Sequence, residues 1–259
     1  MIISELKVHL QSLKDQEMPY NYGYDLMESI NLLAKDVSSP IANEIGLENE
    51  KYSISRVQID DPDEDHPYRL NAGETANFRI FTTDPILMEQ FDHLFSNGKN
   101  FDLFGLNFEI EDLSFRTIDL KNRPLLSNPI QLFFVTPSSF MRENIEIPFP
   151  STDILFESLL HVWNIWFPAF SLDEHIIREN LPLISIKYAK GTVNRIPFVE
   201  GQFIHGWRGM IKLEVQETEN LREICELIRL GSLSGVGRGR TLGFGRYRII
   251  FERRPSSGD

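Results

Sequence analysis

Apolar and polar residues alternate from Ile3 to Leu10 with the two-residue period of a half-buried strand. A helical pattern then opens at Asp25, with Glu28 three residues on and Leu26, Ile30 and Leu33 as its apolar stripe. Tyr52 to Ile59 and Asn77 to Thr82 read as strands, separated by DDPDEDHP, whose prolines and five carboxylates suit a loop. Asp84-Pro85 has the form of an N-cap and first helical residue, and Leu87, Phe91, Leu94 and Phe95 follow at helical spacing. Leu106, Phe108 and Ile110 alternate again, so the first half predicts βαββαβ.

The stretch from Asn122 to Pro129 breaks the pattern. Beyond it, Ile130 to Val135 predicts a buried strand, and Leu155, Leu159, Val162, Trp163 and Trp166 predict a strongly apolar helix. Strands are expected at Leu183 to Tyr188 and Gly209 to Val215. A helix capped by Asn220 and Glu223 comes next, with Leu221, Ile224, Cys225 and Ile228 inward, and a closing strand at Arg246 to Phe251. The expected fold is therefore α+β: two tandem ferredoxin-like (βαββαβ, RRM-like) domains at 1–122 and 129–259. Such a fold hosts many functions and decides none.

Composition narrows the class. The 259 residues are 41% hydrophobic and 25% charged, enough for a core in each half. No apolar run approaches a membrane span, and Glu5 and Lys7 interrupt the start where a secretory signal would be apolar, so no membrane partner and a cytoplasmic address are expected. The single cysteine, Cys225, excludes an internal disulfide and a cysteine-based zinc cluster, and its place on a helix stripe suits core filler. The formal charge of −12 argues against phosphate binding, yet its distribution does not. Residues 1–125 hold 11 Lys and Arg against 23 Asp and Glu, while residues 126–259 hold 15 of each. Six arginines stand against Glu252 alone in 231–254.

Six of the 16 glycines fall in GSLSGVGRGRTLGFG, residues 231–245. Such density permits tight turns and exposes backbone N–H groups, and Arg238 and Arg240 add charge suited to phosphate. A nucleotide phosphate loop is excluded by order and chemistry: the glycines follow a helix and precede a strand, and no Gly-Lys-Ser/Thr follows. SGVGRGRTLGFGRYRI resembles the C-terminal glycine-rich signature of the repeat-associated RNA-binding superfamily (RAMP), in particular its CRISPR-associated pre-CRISPR-RNA processing endoribonucleases. MPYNYGYDLMESI at 18–30, VTPSSF at 135–140 before the Trp163 helix, and Gly206-Trp-Arg-Gly209 are similar to further family segments.

The resemblance implies an endoribonuclease active in antiviral defence. It would bind CRISPR repeat RNA and cleave the precursor by 2′-OH attack, with no metal and no cofactor, among other CRISPR-associated proteins as partners. The RNA-binding residues so implied are Gly235, Gly237, Arg238, Gly239, Arg240, Gly243, Gly245, Arg246 and Arg248. The reaction needs a base, an acid and cations for the phosphate charge. Family members place a His after the first helix, a Tyr within it and a Lys nearby. Here the Tyr position holds Asn31, and IANEIGLENEK contains no His, leaving Lys51 as the match. Of the histidines, His205 beside Gly206 is the catalytic candidate. His66 reads as a loop residue, and His93, His161 and His175 as structural or surface. The missing His motivates the alternative of a non-cleaving RNA-binding subunit of a CRISPR ribonucleoprotein, and the net charge a protein-interaction adaptor.

Overall fold

In the computed structural model, all residues are described except 19–22, 47–48, 62–67, 104, 199–200 and 252–259. Tyr20, Tyr22 and His66 lie outside the described residues. The N-terminal half runs β1 (Ile2–Ser12), β2 (Gln16–Glu17), α1 (Gly23–Asp36), β3 (Tyr52–Ile54), β4 (Gln58–Ile59), β5 (Arg69–Leu70), β6 (Thr75–Thr82), α2 (Pro85–Asn97), β7 (Asn100–Leu103) and β8 (Leu106–Asp119). Its sheet is antiparallel in the order β3-β6-β1-β8-β7, with β4 also on β6. Without β7, which forms a hairpin with β8, that is the 2-3-1-4 strand order of a split βαβ unit. Asp84 caps α2 as its sequence predicts, accepting from the N–H groups of Ile86 and Leu87.

The C-terminal half repeats the plan with β9 (Ile130–Phe134), β10 (Phe140–Arg142), β11 (Ile145–Ile147), α3 (Thr152–Trp166), α4 (Glu174–Asn180), β12 (Ile184–Pro197), β13 (Phe203–Val215), α5 (Leu221–Ser234) and β14 (Tyr247–Ile250). The order β12-β13-β9-β14 is again 2-3-1-4. Apolar positions of α3 and α5 meet one face of this sheet, and Cys225 on α5 is fully buried.

Several expectations need correction. β12 and β13 are 14 and 13 residues long, not the short strands read at Leu183 to Tyr188 and Gly209 to Val215. Gly206 to Gly209 consequently lies inside β13 and does not precede it. The alternation fades because β12 is exposed on both faces from Tyr188 to Arg195, where no core selects one side. The β10–β11 hairpin and α4 were not legible, and Asn220 makes no side-chain cap bond to α5. Among the described residues no helix is long and apolar enough to cross a membrane.

The two halves exchange side chains. Ile3, Phe81, Ile118 and Leu120 join the core built on α3 and α5, while Ile196, Phe198, Ile204, Leu242 and Phe244 join the core built on β1, β6 and α2. A functional surface between the halves is therefore held by both cores.

Candidate functional site

Register decides what faces the gap between the sheets. Residues directly opposite across antiparallel strands share a face. Glu5 stands opposite both Phe81 and Arg116, and Lys7 opposite Arg79. In the second sheet Phe133 stands opposite both Met210 and Arg248. These faces bound a cleft of about 500 Å³ whose arginines are Arg56, Arg79, Arg116, Arg208, Arg246 and Arg248, with Glu5 as the one carboxylate among the described residues of its lining. Phe81, Phe133, Tyr68 and Tyr247 line the same cleft. Glu5 bridges Arg116 at 2.6 Å and Arg79 at 3.7 Å, which fixes two guanidinium groups while leaving the cleft strongly positive.

Arg246 forms part of the cleft wall. It is 7% exposed, donates from Nη2 to the Leu233 carbonyl and lies 4.7 Å over the Phe81 ring. Burial, with Arg79 adding to it, pushes its pKa down to about 9. Its Nη1 and the Nε of Arg79 are buried donors with no hydrogen-bond partner among the described residues. An anion in the cleft would satisfy such donors.

The glycine-rich segment is built differently from the expectation of exposed amides. Val236 N donates to Gly245 O, Gly237 N to Ser158 Oγ, Arg238 N to Ser139 O and Gly245 N to Pro137 O. Its glycines admit the protein's own backbone: a Cβ on Gly245, at φ +65°, would stand 1.8 Å from Val236 O, and one on Gly243, at φ +82°, 2.9 Å from Ile54 O. Arg240 is 3% exposed and reaches across the halves, donating to Glu50 O at 2.5 Å and Tyr52 O at 3.5 Å. Burial pushes its pKa down to about 10. A guanidinium so enclosed ties the two halves together, where the sequence reading gave it a phosphate contact. Arg238 is half-buried with its guanidinium 4.4 Å over the Phe198 ring. Only Arg246 and Arg248, of the residues expected to bind RNA, line the cleft.

The structure places the catalytic candidates apart from this cleft. Lys51 begins the turn into β3, is 62% exposed and lies 3.9 Å from Asp84. His205, on β13, is 60% exposed and pairs through Nδ1 with Glu146 of β11 at 3.0 Å, while Ser139 donates to the same carboxylate at 3.2 Å. A second exposed pair joins the halves: Nε2 of His161 on α3 meets Glu50 Oε2 at 2.6 Å, and Arg240 lies 3.7 Å from the same carboxylate. The His161 bond, assisted by Arg240, outweighs partial burial and holds Glu50 below its ordinary range, and Glu50 in turn raises the pKa of His161. Among the described residues no group of His, Cys, Asp and Glu is arranged to hold a metal ion.

Residues 132–247 match the family model of the CRISPR-associated endoribonuclease Cas6. That stretch of the chain is similar to the Cas6 family. The matched span runs from β9 to the first residue of β14 and so includes the whole glycine-rich segment. No curated protein matches the sequence. Among solved structures, a Cas6 product complex superposes with a TM-score of 0.74 at 20% identity, over 97% of this chain and 100% of that one. A second Cas6, from Thermus thermophilus and also a product complex, gives 0.73 at 15%, over 95% and 99%. A structure described as a RAMP protein binding different RNA substrates gives 0.63 at 17%, over 96% and 100%. At these identities the likenesses establish a shared fold along nearly the whole chain.

The sequence reading missed Arg56, Arg79, Arg116 and Arg208, which are scattered through the chain and converge only in the folded sheets. Arg79 carries a signal nonetheless: it stands between Phe78 and Ile80, both fully buried, on the opposite face of β6.

Proposed function

We propose that this chain is a Cas6-type endoribonuclease that binds CRISPR repeat RNA along the arginine-lined cleft between its two sheets and cuts the precursor transcript. The observation that carries this reading is the convergence of six arginines and several aromatic rings on one cleft of an otherwise acidic protein. Arginines supply phosphate contacts, and the exposed ring of Phe133 supplies a stacking surface for an unpaired base. The buried Nη1 of Arg246, which has no hydrogen-bond partner among the described residues, supports the same use.

Cutting proceeds without metal: a ribose 2′-oxygen attacks the adjacent phosphorus and the 5′-oxygen leaves, giving a cyclic phosphate and a free 5′-OH. Lys51, exposed at the junction of the halves, is suited to stabilise the charge gathering on phosphorus. His205 is the other side chain of the sequence reading with a place in this proposal.

The test is incubation with repeat RNA in EDTA, read by gel shift and by cleavage gel. One defined cut bearing a cyclic-phosphate end supports the proposal. Binding without cutting supports a non-cleaving subunit of a CRISPR ribonucleoprotein, the reading favoured by the lack of histidine in residues 41–51. Neither binding nor cutting refutes both.

A further inference from the structure

We propose that His161, a residue of the C-terminal half, is the general acid of the cleavage, held in position by Glu50 of the N-terminal half. The assignment rests on the cleavage reading above. His161 lies on the face of α3 that meets the loop entering β3, and its imidazole is 61% exposed. Its Nε2 is engaged by Glu50 at 2.6 Å, which leaves Nδ1 as the nitrogen open to a substrate.

Glu50 is in turn fixed. Its carboxylate faces the buried guanidinium of Arg240, and its carbonyl accepts from Trp166 Nε1 at 2.8 Å and from Arg240 at 2.5 Å. An acid must be aimed at its acceptor, and a glutamate whose backbone carbonyl is held by two donors and whose carboxylate faces a guanidinium aims the ring. The next residue along the chain is Lys51, which brings a cation for phosphate to the same turn. His205 also has a carboxylate partner, but Glu146 belongs to the same half. The His161 pair crosses the junction at which the glycine-rich segment docks.

The position suits a substrate in the cleft. Lys51 and the cleft residue Arg56 are the two ends of a five-residue step through β3, at most about 18 Å long. An RNA strand leaving the cleft beside Arg56 is thus within reach of His161. In the step itself the 2′-oxygen forms its bond to phosphorus as the bond to the 5′-oxygen breaks. The 2′-hydroxyl proton passes to water, and His161 gives its Nδ1 proton to the departing 5′-oxygen, regaining one from water afterwards.

Among the described residues the charged groups that act on the ring are Glu50, which raises its pKa, and Arg240, which lowers it. Glu50 is the contact that keeps the ring protonated. The wild-type rate should fall with rising pH through the raised pKa of His161, and Glu50→Gln, which weakens that support, should move the fall to lower pH.

The experiment compares wild type, His161→Ala, His161→Asn and Glu50→Gln, reading RNA affinity and single-turnover cleavage in EDTA. Two substrates are used: natural repeat RNA and the same RNA with sulfur in place of the bridging 5′-oxygen at the cut. Both His161 variants should cut natural RNA about 100-fold or more slowly at unchanged affinity. Both should recover on the sulfur substrate, because a thiolate leaves without a proton. Wild-type cutting by His161→Asn, or an equal defect on both substrates, would overturn the assignment while leaving the cleavage reading intact. Wild-type protein that binds and cuts neither substrate would instead remove the cleavage reading, and this assignment with it.

Discussion

Arg240→Met separates a structural arginine from a phosphate contact. Methionine keeps most of the aliphatic volume and removes every donor. The Tyr52 carbonyl loses its charged partner at 3.5 Å, the Glu50 carbonyl keeps only Trp166 Nε1, and the Glu50 carboxylate loses a cation at 3.7 Å. Breaking a buried ion pair by removing one partner costs about 3–5 kcal/mol. Glu50 is 36% exposed and can hydrate, so the lower figure, about 3 kcal/mol, applies here. At about 2–4 °C per kcal/mol for a chain of this size, Tm should fall by roughly 6–12 °C. Circular dichroism melts measure that fall, and RNA affinity below the transition should match wild type. A Tm within about 2 °C of wild type together with lost RNA binding would show that Arg240 meets phosphate, and the packing argument would be wrong.

Three further outcomes follow from the same geometry. Gly245→Ala should yield little soluble folded protein and Gly243→Ala a lowered Tm, because each Cβ meets backbone at positive φ, whereas Gly46→Ala, in open space, should melt like wild type. Removing one cleft arginine, Arg56→Ala or Arg248→Ala, should weaken binding of all RNA sequences alike and reduce the slope of log K against log salt by about 1, measured by titration at several salt concentrations. The Glu50–His161 pair stabilises the fold between the lowered pKa of the carboxyl and the raised pKa of the imidazole. The Tm difference between wild type and His161→Ala should therefore peak between their ordinary values of 4.5 and 6.5. It should shrink as pH falls through the folded pKa of Glu50, and again as it rises through that of His161.

Element order was legible because both halves write their cores in short periods. Leu87, Phe91, Leu94 and Phe95 make one face of α2, and Leu155, Leu159, Val162, Trp163 and Trp166 one face of α3, as their spacing predicts. The full length of β12 was not, since strand pairing there depends on backbone bonds to β13 with no buried face to pattern the side chains. The resemblance carried by the glycine-rich segment agrees with the family model that matches residues 132–247. It did not reveal what the glycines touch. A glycine permits close approach by a ligand or by the chain's own carbonyls with equal ease, and only the fold shows Val236, Ser139 and Ile54 occupying that space.

The same ambiguity explains how a chain of formal charge −12 presents a positive cleft. Charge along the sequence records how many arginines a segment holds, whereas phosphate responds to those that remain near solvent. Arg240 sits in the most basic segment yet is withdrawn into the junction, while Arg79 and Arg116 come from the acidic half and face the cleft. Sorting the arginines by their place in the fold instead of by segment moves the proposed RNA surface from the glycine-rich stretch to the facing sheets. That stretch then has a distinct role: through Arg240 it fixes Glu50, and through Glu50 it fixes the imidazole of His161. The two proposed roles separate experimentally, because cleft substitutions should act on affinity and its salt dependence, while substitutions at Glu50 and His161 should act on the rate and pH profile of cutting.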